Sequence, residues 1–147
     1  GERTINEAQE EQSRALLAQA LPSAASQLGV APEHVVVGGF SQGGIMALSL
    51  LLSRPELMRA AVVWHSRLLP QIVPLIAAPD AFHGKHLWVS HGTHDNVIPL
   101  AAAQSIRRQV QALPLHLAYE EFPSAHEIRP AELAHTVAWL QGLYGAV

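Results

Sequence analysis

The chain has 147 residues, of which 49% are hydrophobic and 14% charged, so it is long and apolar enough to form one globular domain with a buried core. Its net charge of -3 and its nine scattered Lys and Arg residues argue against a nucleic-acid partner. The absence of cysteine excludes disulfides, thiolate metal sites and a cysteine nucleophile. No apolar run reaches the ~18 residues of a membrane span. We therefore expect a cytoplasmic protein with a small-molecule ligand.

The first predicted element is a helix from Thr4 to Leu21. Thr4 and Glu7 have the spacing of a capping box, and the leucines and alanines near its end give one apolar face. Pro22 is expected to kink or end this helix. A second, short helical stretch is then predicted as far as Leu28.

Short apolar runs alternate with helical segments along the rest of the chain. Strands are predicted at 35–37, 60–64, 87–90 and 115–119, and helices at 45–53, 100–112 and 131–143. Continuous apolar strands between helices are typical of a mainly parallel sheet with helices on both faces. The proline-rich segment 68–84 is expected to be irregular, with one helical turn. The predicted fold class is therefore α/β.

The segment Gly-Phe-Ser-Gln-Gly at 39–43 lies between a predicted strand and a buried helix. In a nucleophile elbow, a serine at this place stands on a strained turn, and its neighbours must be very small because strand and helix approach closely. Gly39 and Gly43 meet that need, which makes Ser41 the candidate nucleophile. The backbone N–H of Gln42 is the expected oxyanion-hole donor. A phosphate loop is the alternative, but the segment lacks its lysine and its glycine spacing.

A serine hydroxyl becomes a good nucleophile when a base, oriented by a carboxylate, removes its proton. In an α/β hydrolase the acid and then the histidine follow the serine, on loops after strands. Asp95 follows the third predicted strand, whereas Asp80 lies in the proline-rich segment, so Asp95 is the predicted acid. His126 is the predicted base because it follows the last strand and precedes the last helix. Glu120 and Glu121 are the alternative acids.

The other histidines are alternative metal ligands or bases. Two His-X-X-His patterns are present, formed by His83, His86, His91 and His94. Neither has the helical spacing of four with an intervening Glu that a catalytic zinc site favours. We therefore expect no metal, with His91 ending a strand and His94 packing beside Asp95. His34, His116 and His135 do not lie on loops that follow the downstream strands.

The string Gly-Phe-Ser-Gln-Gly-Gly, together with His-Gly-Thr-His-Asp-Asn at 91–96 and Ala-His-Glu-Ile at 125–128, resembles the carboxylesterase/phospholipase group of α/β hydrolases, which includes acyl-protein thioesterases. The resemblance implies the α/β-hydrolase fold and cleavage of carboxylic esters or thioesters without metal or organic cofactor. It also implies an apolar acyl site at Leu68 and Leu69. Arg67 and Ala125 stand where the group often has Gly, and would reshape the mouth of the pocket.

The resemblance covers essentially the whole chain, but members of the group carry further strands upstream. A His-Gly-rich loop after one of those strands supplies their second oxyanion N–H. The chain opens Gly-Glu-Arg-Thr, without an initiator Met or a targeting segment, and residues 1–147 are expected to be the C-terminal portion of a single α/β-hydrolase domain.

Two alternatives to an esterase stay open. A non-catalytic or truncated α/β module could assemble with a partner, for example as a homodimer, through an exposed sheet edge. An α/β hydrolase could also use the same triad for lactone or C–C bond cleavage, because a shared fold does not fix the reaction.

Overall fold

The computed structural model describes residues 7–144, which contain four β-strands and four α-helices joined by loops and short 3-10 helices. The strands are β1 (Val36–Phe40), β2 (Ala60–Trp64), β3 (His86–Gly92) and β4 (His116–Phe122). The helices are α1 (Glu7–Leu28), α2 (Gln42–Ser53), α3 (Leu100–Val110) and α4 (Pro130–Leu143). The predicted alternation of strands and helices is therefore confirmed over this part of the chain.

The four strands form one parallel sheet in the order β1-β2-β3-β4. Phe40, Trp64, Ser90 and Glu120 are paired across it in register. Because all strands run in the same direction, the loops that follow them lie along one edge of the sheet. Ser41, His65, Asp95 and His126 all belong to the segments after these strand ends.

Helices cover both faces of the sheet. Side chains alternate between the faces of a strand. On one face, Ala61, Val63, Leu87 and Val89 join a buried core with the leucines of α2 and with Ile106 of α3. On the other face lies α4, where Thr136 accepts a hydrogen bond from the Trp64 ring N–H at 3.1 Å and the rings of Trp88 and Trp139 are 5.7 Å apart. The predicted parallel sheet with two covered faces is confirmed.

Helix α2 is apolar on almost every side because almost every side is buried. Leu48, Leu50, Leu51 and Leu52 are fully buried, and each contributes about 2 kcal/mol of transfer free energy on folding. This burial fixes the helix against β1 and β2, and with it the turn at Ser41. Within residues 7–144, no helix has both the length and the apolar composition needed to cross a membrane.

Two expectations about local structure are wrong. The two predicted N-terminal stretches form one helix, α1, that continues through Pro22, because a proline interrupts only a local part of the helical hydrogen-bond ladder. The predicted capping residue Thr4 lies outside the described residues. The proline-rich segment contains two 3-10 helices, Pro70–Leu75 and Pro79–Phe82, instead of one turn, because each begins at a proline that favours its first position.

Candidate active site

Ser41 occupies a strained turn between β1 and α2. Its φ of 57° lies in the left-handed region, which non-glycine residues seldom adopt, and its ψ is -113°. Its backbone N–H donates to the Trp64 carbonyl at 2.9 Å, so the sheet ladder continues up to this residue. The turn therefore projects the serine side chain from the end of the sheet, as an elbow requires.

The close approach of strand and helix requires glycine at 39 and 44. A Cβ added at Gly39 would overlap the backbone of Gly43, and one at Gly44 would lie 2.8 Å from the Ser66 Cβ and 2.9 Å from the Gly39 carbonyl oxygen. A Cβ at Gly43 would meet nothing within 4 Å. The expectation that Gly43 itself must lack a side chain is thus wrong, because its backbone is what approaches Gly39.

Ser41, His126 and Asp95 are joined by a row of hydrogen bonds. His126 Nδ1 lies 2.7 Å from Asp95 Oδ2, and His126 Nε2 lies 3.1 Å from Ser41 Oγ. An ionised carboxylate only accepts hydrogen bonds, so Nδ1 carries the proton and donates it to Asp95. Nε2 then has a free lone pair that accepts the Ser41 hydroxyl. In this tautomer the imidazole can take the serine proton.

Backbone pairing between two loops brings Asp95 to His126. The N–H groups of Thr93 and His94 donate to the carbonyls of Phe122 and Ser124, at 2.8 and 3.0 Å. Gly92 permits this approach, because a Cβ there would overlap the Ser124 carbonyl oxygen. The loops after β3 and β4 are therefore held side by side.

The Asp95 carboxylate is buried and fully hydrogen-bonded. Oδ1 accepts the backbone N–H groups of Val97 and Ile98, both at 2.9 Å, and Oδ2 accepts from His126 and from His65. Burial by itself would raise the pKa of Asp95, but these four hydrogen bonds outweigh it and lower the pKa to about 2. Asp95 is consequently ionised at neutral pH.

His65 is a second imidazole on the same carboxylate oxygen. Its Nδ1 lies 3.0 Å from Asp95 Oδ2, and its Nε2 lies 2.9 Å from Glu132 Oε1 in α4. Ser90 Oγ donates to the other Glu132 oxygen at 2.6 Å. The side chains of His65, Asp95 and Glu132 are all fully buried. A polar network thus continues from the candidate site into the interface between the sheet and α4.

The N-terminus of α2 supplies the candidate oxyanion donor. Gln42 is the first residue of this helix, where backbone N–H groups have no acceptor within the helix. The N–H dipoles of this first turn favour negative charge beside Ser41. The ring of Phe40 packs 4.7 Å from that of His126 and covers one side of the imidazole.

His65, Asp95 and His126 are also the one group of three metal-ligand side chains whose donor atoms converge among residues 7–144, all within 4.8 Å of one another. Both nitrogens of His65 are already hydrogen-bonded to buried carboxylates, so a metal on that ring would have to displace one of these bonds. The arrangement therefore suits hydrogen bonding better than ligation.

The sequence profile of the phospholipase/carboxylesterase family matches residues 2–143. The chain belongs to this family. Among the family's curated members, it is 32% identical to a probable carboxylesterase of Oryza sativa subsp. japonica over 116 residues, which are 77% of this chain and 43% of that protein. It is 28% identical to acyl-protein thioesterase 1 of Gibberella zeae, over 77% of this chain and 49% of that protein. The chain thus spans about half the length of these relatives.

Two solved structures share the fold of this chain. The Bacillus cereus carboxylesterase superposes with a TM-score of 0.85 at 18% identity, covering 97% of this chain and 66% of that one. Arabidopsis thaliana SOBER1 superposes with a TM-score of 0.83 at 21% identity, covering 97% and 68%. The α/β-hydrolase fold expected from the sequence is therefore confirmed.

The remaining candidates from the sequence are the two acyl-site leucines and the alternative acids, and none of them bonds Ser41 or His126. Leu69 is 2% exposed and belongs to the core, whereas Leu68 is half-buried against that core. Of the two leucines, Leu68 therefore has the more accessible side chain. Of the alternative acids, Glu120 pairs with His135 and Glu121 with the Tyr119 hydroxyl. Asp80 is exposed in its 3-10 helix.

The expectation that His94 packs beside Asp95 is wrong. His94 is exposed, and the imidazoles bonded to the carboxylate are those of His65 and His126. His65 directly follows β2, just as Asp95 and His126 follow β3 and β4. The same criterion, applied to the sequence, would have found it. Glu132 carried no such signal, because a Glu in the first turn of a helix is usually solvated.

Proposed function

We propose that the chain is a serine hydrolase that cleaves carboxylic esters or thioesters through an acyl-enzyme on Ser41. The observation that carries this proposal is the row of hydrogen bonds from Ser41 through His126 to Asp95, at 3.1 and 2.7 Å, on an elbow at the start of a helix. Membership of the phospholipase/carboxylesterase family supports the choice of a carboxylic ester or thioester.

In the proposed reaction, His126 Nε2 takes the Ser41 proton while Oγ attacks the carbonyl carbon of the substrate. The carbonyl oxygen becomes an oxyanion, which the Gln42 N–H stabilises. His126 then gives its proton to the departing alcohol or thiol, which leaves an ester on Ser41. A water molecule, deprotonated by His126, attacks that ester, and His126 returns the proton to Ser41 Oγ as the carboxylic acid is released. Asp95 stays ionised and stabilises the imidazolium in both steps.

The proposed acyl site lies beside Ser66. The Ser66 hydroxyl donates to the Ser41 carbonyl at 2.9 Å, so the segment after β2 is tied to the elbow. Leu68 follows two residues later and is half-buried, so the same segment offers a partly exposed apolar side chain. We propose short to medium acyl chains as the substrates.

The experiment is turnover of p-nitrophenyl esters of increasing acyl length by the wild-type chain and by Ser41→Ala. We expect kcat/KM of the variant to fall on the order of 10³-fold or more, since a triad nucleophile has no substitute. Ser53→Ala is the matched control, because Ser53 lies at the far end of α2 and bonds the Ser49 carbonyl. Equal turnover by Ser41→Ala and the wild type would refute the proposal.

One observation favours a second candidate, a non-catalytic module that assembles through a sheet edge. In the described part of the chain β1 pairs with β2 alone, so the other edge of β1 is open to a further strand. Size-exclusion chromatography combined with the esterase assay separates the two candidates. An active monomer rejects the module, whereas an inactive oligomer or homodimer favours it.

A further inference from the structure

His65 occupies an unusual place at the end of β2. Its φ of 52° is left-handed, as at Ser41, and these are the positive-φ non-glycine residues of the described chain. The ring is fully buried between Asp95 on the loop after β3 and Glu132 on α4. Backbone strain and burial of three ionisable groups both cost folding free energy, so this arrangement needs a reason beyond filling space.

Each ring nitrogen of His65 faces a buried carboxylate. Nδ1 lies 3.0 Å from Asp95 and Nε2 lies 2.9 Å from Glu132, and ionised carboxylates offer no protons. With an ionised carboxylate on each side, both ring nitrogens donate and the ring is an imidazolium. Burial acts to lower the pKa of His65, but the bonds and charges of Glu132 and Asp95 outweigh it and raise the pKa overall.

Two further histidines lie near the His65 ring. His91 of β3 stacks at 5.3 Å, but its Nε2 bonds the Ile98 carbonyl and burial lowers its pKa, so it is neutral. His126, on the loop after β4, lies 5.8 Å away edge-on. From β1 the ring meets Phe40, which has no charge.

With His65 as an imidazolium between two ionised carboxylates, Asp95, His65 and Glu132 together carry one net negative charge. This equals the charge of a single carboxylate, although two carboxylates are buried. When His126 takes a proton from Ser41, the whole cluster becomes neutral. Without the His65 charge, the second buried carboxylate would be uncompensated and would hold a proton on His126 more strongly.

We propose that His65 is a positioning residue of the triad: an imidazolium that locks Asp95 toward His126 and cancels the charge of Glu132. Asp95 has no acceptor position left once His65 is bound, so its carboxylate cannot rotate away from His126. Glu132, held by Ser90 and anchored in α4, keeps His65 in place. This inference rests on the proposed function of Ser41, Asp95 and His126.

The kinetic test compares His65→Asn with Glu132→Gln. Asn is chosen because it tolerates left-handed backbone better than other non-glycine residues. Removing the positive charge makes protonation of the base easier, so the acid limb of the kcat/KM profile of His65→Asn should move to higher pH by about one unit. Removing the negative charge in Glu132→Gln should move the same limb to lower pH. We expect kcat of His65→Asn to fall roughly tenfold with KM little changed, since His65 does not reach substrate.

His86→Gln is the matched control, because it removes an imidazole at the opposite end of β3. Its pH profile should equal that of the wild type. A purely structural role for His65 would leave the acid limb in place and lower activity only by the unfolded fraction, measured by thermal melting. That result, or shifts of the same sign in both variants, would overturn the proposal. If His65→Asn does not fold, the acid limb of Glu132→Gln decides the question. A move of that limb to lower pH supports the proposal, and an unmoved limb overturns it.

A second measurement does not need activity. In the Ser41→Ala protein, nitrogen-15 spectra should show both ring nitrogens of His65 still protonated above the ordinary titration range of histidine. The Nδ1 proton of His126 should give a downfield signal that broadens or shifts in His65→Asn. A neutral His65, or an unchanged signal, contradicts the proposal even if the chain is active. An inactive wild-type chain with a protonated His65 would instead refute only the proposed function.

Discussion

Ser41 shows how much of the candidate site is decided by single residues around it. Its left-handed backbone and its hydrogen bond to His126 depend on a turn that only very small neighbours permit. Gly39 and Gly44 are the residues that the packing restricts, while Gly43 has space for a side chain. The strained turn is stabilised by burial of α2 and by the Ser66 hydroxyl on the Ser41 carbonyl.

We predict that Gly39→Ala and Gly44→Ala each lower the free energy of unfolding by about 1–3 kcal/mol, because the added methyl overlaps backbone or the Ser66 side chain. Gly43→Ala is the matched control, with no neighbour within 4 Å of the new methyl. It should be neutral or stabilising by up to ~1 kcal/mol, since alanine favours helix over glycine. Urea denaturation measures all three. A Gly43→Ala loss as large as that of Gly39→Ala would contradict the packing described.

The sequence predicted Ser41, Asp95 and His126 as neighbours because each follows a strand in an order that parallel topology restricts. It did not predict the role of His65 or Glu132. Their contact depends on the register between β2 and β3 and on the side of the sheet that α4 covers, and the two residues are 67 positions apart. Local patterns contain neither fact. The restriction at Gly44 was not predicted for a similar reason, because its contact with Ser66 is also long-range.

At the scale of elements, α4 is attached to the sheet by polar as well as apolar contacts. Thr136 accepts from the Trp64 ring N–H at 3.1 Å and donates to the Glu132 carbonyl at 2.8 Å. One turn earlier, the Glu132 side chain bonds His65 and Ser90. The position of α4 therefore fixes the polar network behind Asp95.

We predict that Thr136→Val lowers the free energy of unfolding by about 1–2 kcal/mol, because it removes the acceptor of the Trp64 N–H while keeping the shape of the side chain. Thr136→Ser retains the hydroxyl and should lose less than half of that. Thermal or urea unfolding measures the difference. No loss in Thr136→Val, or a loss in Thr136→Ser as large as that in Thr136→Val, would contradict this role of the hydroxyl.

The strands, helices and their alternation were predictable because their apolar runs reflect burial between two helical layers. Pro22 was misleading, since a local rule suggested a break that the helix tolerates. The proline-rich segment was also misjudged, because two prolines each began a 3-10 helix. Tertiary contacts decide such marginal cases, and they cannot be seen in a single segment.

At the scale of the whole molecule, stability should depend on pH through the polar network. The pKa of Asp95 is about 2, below its ordinary value of 3.8. A lowered pKa in the folded state gives stabilisation that is present above the ordinary value and is lost as pH falls toward 2. We predict a loss of about 2 kcal/mol over that interval, measured by urea denaturation. Asp95→Asn should be less stable at neutral pH, and its unfolding free energy should change less as the pH falls toward 2.

His65 should act in the opposite direction. Its raised pKa gives stabilisation that is present below the ordinary value of 6.5 and is lost as pH rises through the folded-state value. The unfolding free energy should therefore decline on the alkaline side as well, and that decline should be absent in His65→Asn. If the unfolding free energy of His65→Asn declines at alkaline pH as it does in the wild type, a charged His65 is contradicted.

The chain contains the sheet end that positions Ser41, Asp95 and His126, although it spans only about half the length of its carboxylesterase and thioesterase relatives. The open edge of β1 within the described residues is adjacent to the elbow itself. Association through that edge would therefore place a second strand beside the nucleophile. Activity should consequently be measured together with molecular mass in solution.

The most direct measurement of the central claim is the site of covalent labelling by a fluorophosphonate, which reacts with a serine activated by a histidine. The account predicts a single adduct on Ser41, found by peptide mass spectrometry, that is absent in Ser41→Ala and strongly reduced in His126→Gln. The control Ser53→Ala should label like the wild type. Labelling that persists in Ser41→Ala, or a folded wild-type chain that takes up no label, would contradict the account.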